Sequence, residues 1–346
     1  MDFEESFHPL ESQAPDAYTE AVEAYCHGIL RLHWNERLIN KIFGRALQSH
    51  AAGRLVVQHF QWQREGAPRP TLALLQRQAG SGGRTLATFF AVLRLADMVT
   101  AEPDAADRRV RYLVPGPRLL DGLRTWVVHH LQCSEALGVL AHGHAARLGA
   151  EADYFESFLC RADTILDRLA AHRGRFGGWD WFDQREGGGR VAMLLLREHC
   201  RTTAARAGGG PAPLFPLRAQ ELAERLGFSH SHVRNLVNDA TVEGLLTQDG
   251  RRGLVALTPR FEADLRHWLQ HLLGWFAEAA QAANRSPQPA APCPPLTPSE
   301  NPCTTTTRST CRHPSWPCTP TPAAGSQRAP TPCEPATSCA KTWPAT

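Results

Sequence analysis

The sequence predicts a mainly α-helical protein with two short two-stranded β-hairpins, built as two similar units joined by helices and followed by a disordered C-terminal tail. Three observations predict this. Apolar residues recur at helical spacing over most of residues 16–280. One pattern of helices and turns occurs twice along the chain. Beyond Asn284 the composition changes abruptly.

The elements are justified in chain order. Over residues 16–49, Val22, Tyr25, Cys26, Ile29 and Leu32 are spaced to share a helix face, and Leu38, Ile39, Ile42 and Phe43 extend the pattern. A second helix is expected from Leu55 to Trp62, after a small-residue junction at Ala51–Gly53. Pro115 and Pro117 end whatever precedes them, because proline lacks an N–H and fixes φ. Leu119–Leu148 and Tyr154–Leu169 again read as helices. Glycines at 174, 177, 178 and 187–189 bracket Trp179, Trp181 and Phe182, which predicts a loop packed onto the second unit.

The repeat aligns Leu72–Glu102 onto Ala219–Asp249 at an offset of 147. Gly80 meets Gly227; Leu86, Phe89 and Phe90 meet Val233, Leu236 and Val237; Met98–Val99–Thr100 meets Leu245–Leu246–Thr247. After a turn that is five residues longer in the first copy, the match resumes at 142. There Pro117–Arg118 meets Pro259–Arg260, and Trp126 meets Trp268. A Gly-Arg pair, Gly53–Arg54 and Gly189–Arg190, is expected to open the helix before each unit.

The second copy is the clearer of the two. A short helix through Glu221, Leu222, Ala223 and Leu226 ends at Gly227, where glycine tolerates a left-handed turn. Ser229 is placed to cap the next helix. In that helix Val233, Leu236, Val237 and Ala240 fall on one face, and Gly244 closes it. Leu245–Leu246 begin a strand, Gln248–Arg252 form a polar turn, and Gly253–Leu257 return. Residues 219–257 thus resemble the winged helix-turn-helix of prokaryotic transcriptional regulators, in the style of the MarR-like group, and residues 72–114 resemble it more distantly. The resemblance implies a first unit over 16–128, a helical connector over 129–185, a second unit over 186–281 and a tail over 284–346.

It also implies sequence-specific binding of double-stranded DNA. A helix in the major groove offers its solvent face to base edges. With the aliphatics inward, that face carries Ser229, His230, Ser231, Arg234, Asn235 and Asn238, and the second hairpin adds Arg251 and Arg252. The first copy offers Arg84, Thr85 and Thr88, with Ala87 and Ala91 as poorer positions, and a longer wing with Arg108, Arg109 and Arg111. The expected division is that copy two specifies sequence and copy one grips the backbone. A plasmid-type replication initiator also pairs two such units, and a protein-docking module would use the fold without DNA. Homodimerisation through the long helices of 16–49 and 118–148 is compatible with the resemblance. A small-molecule inducer is compatible with the resemblance, but no residue pattern marks a pocket.

Composition sets the remaining bounds. Net charge is +3, so nucleic-acid contact has to come from locally placed side chains rather than from overall charge. The longest apolar run, Val191–Leu196, is six residues, against about 20 for a membrane span. With an acidic, non-signal-like start, this predicts a cytoplasmic protein without a membrane partner. Cys26, Cys133, Cys160 and Cys200 read as buried thiols in a reducing compartment. Ala79–Thr85 lacks the Walker spacing, since Gln78 and Arg84 stand where Gly and Lys are needed. His142 and His144 are two apart on a helix and face different sides. With no nucleophile elbow, paired carboxylates or dinucleotide fingerprint, neither an enzyme nor a cofactor or metal is expected. Trp126 and Trp268 are expected in the core. The tail holds fifteen Pro, twelve Thr and six Cys but one residue, Leu296, from Leu, Ile, Val and Phe, and so is expected to be disordered. A shifted reading frame fused to the domain would produce such an onset.

Overall fold

A computed structural model describes residues 15–79, 83–205 and 213–285, all within one compact unit, Met1–Pro289. Gly80 and the tail after Arg285, where the composition predicts disorder, lie outside the described residues. The fold is mainly helical with two small antiparallel sheets.

The chain opens with α1 (Pro15–Arg31), α2 (Arg37–Ile42) and α3 (Ala46–Glu65). The 16–49 pattern is therefore broken, first where Asn35 turns the chain at positive φ and again after Phe43. The junction expected at Ala51–Gly53 is absent. Alanine favours helix, and the Cβ-less Gly53 lets Leu166 approach, so α3 runs straight through. The pair Gly53–Arg54 consequently lies mid-helix rather than at a helix start.

The first repeat follows as α4 (Leu72–Ala79), α5 (Gly83–Leu95), β1 (Val99–Pro103) and β2 (Arg111–Pro115). Next come α6 (Pro117–Ala136), α7 (His144–Ala150), α8 (Ala152–Arg161), α9 (Asp163–Ala171), α10 (Gly178–Asp183) and α11 (Gly188–Ala204). The helix expected over 119–148 is interrupted after Ala136, where Gly138 and Gly143 take positive φ. The aromatic patch at 179–182 is helical, not a loop. Trp179 stacks on Trp268 with ring centroids 3.4 Å apart, and Phe182 lies on Phe261 at 5.2 Å.

The second repeat is β3 (Phe215–Pro216), α12 (Ala219–Leu226), α13 (His230–Val242), β4 (Leu246–Asp249), β5 (Leu254–Leu257) and α14 (Pro259–Arg285). Its sheet has three strands in the order β3-β5-β4, so the expected two-stranded hairpin gains a short third strand. The first sheet carries a trace of the same strand, an isolated bridge from Thr71 to Tyr112.

The two copies agree residue by residue. The helices α4 and α12, and α5 and α13, begin and end at the offset of 147, and α6 and α14 both begin at the offset of 142. Val99 pairs with Pro115 as Leu246 pairs with Leu257, the same register in each hairpin. The N–H of Met98 donates to the Leu93 carbonyl at 2.9 Å, as that of Leu245 does to Ala240. Leu75, Leu86, Phe89, Phe90 and Leu93 are buried, as are Leu222, Val233, Leu236, Val237 and Ala240.

Helix α14 is buried along most of its length, from Phe261 to Ala283, and packs on α6, α8, α9 and α10. Its apolar residues cover more than one stripe, which suits a helix enclosed on several sides. Its repeat equivalent, α6, is among its neighbours: Ser134 Oγ donates to the Leu273 carbonyl at 3.3 Å, and Trp126 meets Phe276 edge-on. Helix α1 packs on α11 and α6. Helices α1 and α6 thus bury apolar residues within the chain. Cys26, Cys133, Cys160 and Cys200 are buried free thiols. Among the described residues no helix is long and apolar enough to cross a membrane.

Candidate nucleic-acid interface

Helix α13 owes its orientation to its two ends and its buried face. Gly227 ends α12 at φ 72°, and a Cβ there would meet the Arg37 side chain, so the turn both needs and protects a glycine. Ser229 caps the helix by accepting the His232 N–H at 3.1 Å. Val233 and Ala240 are wholly buried, with Leu236 and Val237 nearly so. His230, Ser231, Arg234, Asn235 and Asn238 are exposed in consequence.

The exposed side chains are differently engaged. Ser229 is committed to the cap, and its Oγ also lies 3.1 Å from that of Ser231. Asn238 Oδ1 receives a long bond, 3.5 Å, from Gln248 Nε2. Arg234 forms no ion pair among the described residues. His232, which flanks the face, turns away: its Nε2 lies 2.9 Å from the Glu186 carbonyl.

In the β4–β5 turn, Asp249 accepts the N–H groups of Arg251 and Arg252 at 3.2 and 3.3 Å. Its other oxygen lies 3.8 Å from Arg252 Nε, which leaves Arg251 the less compensated cation. Gln248, which sequence reading passed over, ties this hairpin to α13 by donating to the Val237 carbonyl and, at 2.6 Å, to Thr241 Oγ1. Its place at the start of the expected polar turn is visible in the sequence, but its partners on α13 are not.

The first copy presents Arg84, Thr85 and Thr88 on α5, all exposed. Thr88 spends its donor on the Arg84 carbonyl at 3.1 Å. The β1–β2 loop is built around Asp104, which accepts the N–H groups of Ala106 and Asp107 and the Tyr112 hydroxyl, each at 2.8 Å. Those bonds hold its carboxyl below the usual range. Asp107 in turn accepts the Arg109 N–H at 2.9 Å. With both acids engaged by the loop itself, Arg108, Arg109 and Arg111 stand exposed and without ion pairs among the described residues. At the base, Arg69 lies between the rings of Trp62 and Tyr112 and pairs with Glu102.

All fourteen side chains singled out from the sequence are therefore exposed, eight on the second copy and six on the first. Two further arginines, Arg118 and Arg260, are exposed at equivalent helix starts after each hairpin. The repeat alignment contained that pair without assigning it a role.

Comparison with protein-family models, with curated proteins and with solved structures finds no match.

Proposed function

We propose that the protein is a cytoplasmic transcriptional regulator that binds double-stranded DNA through two winged helix-turn-helix units resembling those of MarR-like proteins, and that it has no enzymatic activity. The observation that carries this reading is the α13 face. Arg234, Asn235 and Asn238 stand exposed beside an arginine-bearing hairpin, while the opposite face is locked by Val233, Leu236, Val237 and Ala240. Asparagine and arginine are the side chains best suited to bidentate contact with adenine and guanine edges. The unpaired arginines of the longer first wing suit sugar–phosphate, which adds affinity without sequence information. One chain then supplies two reading units, as a dimer of single-unit proteins does, and covers half-sites about one DNA turn apart.

Selection of bound duplexes from a random pool by the full chain tests this. Enrichment of a two-part motif is expected; an unenriched pool, or binding indifferent to salt, rejects the reading. A promoter location for the motif distinguishes a regulator from a replication initiator, which would collect reiterated origin sites.

A docking module is the second reading, favoured by one observation. Leu95 and Val242, 86% and 90% exposed, are the most exposed large apolar side chains described, and they occupy the same position in the two repeats. Single exposed apolar side chains are ordinary, so it is their recurrence at one position of both repeats that favours this reading.

A further inference from the structure

The repetition extends beyond the two helix pairs and their hairpins. In chain order α1, α2 and α3 precede the first pair as α8, α10 and α11 precede the second, and α2 and α10 are six residues each. The two copies exchange their leading helices: α1 packs on α11, and α8 packs on α3. Arg266 of α14 lies over the Tyr18 ring of α1 at 4.2 Å, as Arg124 of α6 lies over the Phe155 ring of α8 at 4.5 Å. Each copy is held in part by the other.

At one place this exchange reaches the α12–α13 pair. The last carbonyls of a helix have no partner within it. At the end of α12 two of them are met by the turn between α1 and α2. The Asn35 N–H donates to the Arg225 carbonyl at 2.9 Å, and Asn40 Nδ2 donates to that of Leu226 at 3.0 Å. Asn40 is buried, and its Nδ2 also donates to the His33 carbonyl at 2.6 Å, which closes the turn on itself. Asn35 presents its N–H from a left-handed backbone, φ 64°, which asparagine adopts more readily than most residues. The Arg225 guanidinium lies over the Trp34 ring at 4.9 Å, and a Cβ on Gly227 would come within 2.7 Å of the Arg37 side chain. These contacts end at Gly227, two residues before the Ser229 cap that starts α13.

We infer that the α1–α2 turn of the first copy is a clamp on the α12–α13 pair of the second, with Asn40 as its positioning residue, and that it fixes the half-site spacing the chain accepts on DNA. The clamp stands on the contacts alone; its effect on spacing rests on the proposed DNA reading. Without the Asn40 donor the Leu226 carbonyl is unmet at a buried contact, and water reaches it only if the turn and α12 separate. Apolar packing that remains would leave the pair freer to shift. On a duplex each inserted base pair turns one half-site by roughly 35° and moves it about 3.4 Å, so a fixed pair of reading helices tolerates little change.

The full chain and Asn40→Leu, similar in volume but without the donors, are titrated with the selected duplex and with duplexes carrying one or two base pairs more or fewer between its two parts. For two inserted base pairs the parent is expected to lose affinity about tenfold or more, and Asn40→Leu about threefold or less. A variant that is merely less stable loses affinity for every duplex alike and keeps the parent's spacing profile; that outcome, or a parent indifferent to spacing, overturns the spacing role. Trp34→Ala, at a partly exposed position, is expected to relax the profile in the same direction and decides if Asn40→Leu does not fold. Hydrogen exchange without DNA tests the clamp by itself. Either variant is expected to speed exchange of the Asn35 amide while the amides of α5 exchange as in the parent. Unchanged exchange at Asn35 overturns the clamp, and faster exchange in a chain that selects no duplex fails the DNA reading alone.

Discussion

Asp97 and Gly244 occupy the same place in the two repeats, the turn between a helix and the first strand of the hairpin, and both hold positive φ, 54° and 74°. A left-handed conformation costs a residue with a Cβ about 1–2 kcal/mol, less for Asp than for most. A Cβ at Gly244 would meet no atom within 4 Å, so conformation alone sets the effect there. Gly244→Ala is expected to lower stability by about 1 kcal/mol, and Asp97→Gly to leave it unchanged or raise it slightly. Urea unfolding of the two variants measures both; a stabilised Gly244→Ala contradicts the shared turn.

Acid should loosen the packing of α6 against α1 and α14. His130 is buried, stacked on Phe276 at 4.4 Å. Its Nδ1 faces the Trp126 carbonyl at 2.8 Å and must donate, so Nε2 accepts from the Tyr25 hydroxyl at 2.9 Å. Burial lowers its pKa from 6.5 to about 3. Between those values the unfolded chain binds a proton that the folded chain refuses, so stability falls as pH falls below 6.5. The loss from this group reaches roughly 3 kcal/mol by pH 4. His130→Phe should flatten the decline in urea midpoint between pH 7 and pH 4. A slope equal to that of the parent chain would show that His130 is not a source of acid sensitivity.

The repeat was legible because burial and turn geometry act on near neighbours. Val233, Leu236 and Val237 announce their face by spacing, and Gly227, Ser229 and Gly244 announce the ends of α12 and α13 in their own residue types. Strand β3 was not legible. Phe215–Pro216 is two residues long, and only its pairing with Leu254–Val255 makes it a strand. Trp179–Phe182 looked like a loop because glycines flank it, whereas stacking on Trp268 and Phe261 favours a helical turn there. A cavity of about 730 Å³ lined by His33, Trp126 and Arg190 could not be read at all, since those residues come from elements far apart in sequence and their meeting is a property of the packed fold.

The proposed division between the copies predicts unlike mutational signatures. Arg234→Ala or Asn238→Ala should lower affinity for the selected sequence by about 1–3 kcal/mol while leaving random duplex nearly unaffected. Arg109→Ala should weaken every duplex alike and reduce the salt slope by about one, because a phosphate contact releases a counterion whatever the sequence. Titrations of specific and random duplexes at several salt concentrations separate the two. If Arg109→Ala relaxes specificity and Arg234→Ala only shifts the salt slope, the roles of the two copies are reversed.

Leu95 and Val242 decide between DNA recognition and protein docking. Each sits at the last residue of its helix, and neither shields a core. Leu95→Lys and Val242→Lys should therefore change folding stability by less than about 0.5 kcal/mol, as surface substitutions generally do. A lysine there adds positive charge at the ends of α5 and α13, so duplex affinity should hold or rise slightly in a DNA-binding protein. In a docking module the same change places a charge at the apolar anchor and should abolish partner capture, and parent and variant alike should lack duplex affinity. Measuring duplex affinity and partner recovery for the parent and the double variant separates the two readings. Loss of partner recovery from a chain with no duplex affinity would favour the docking module.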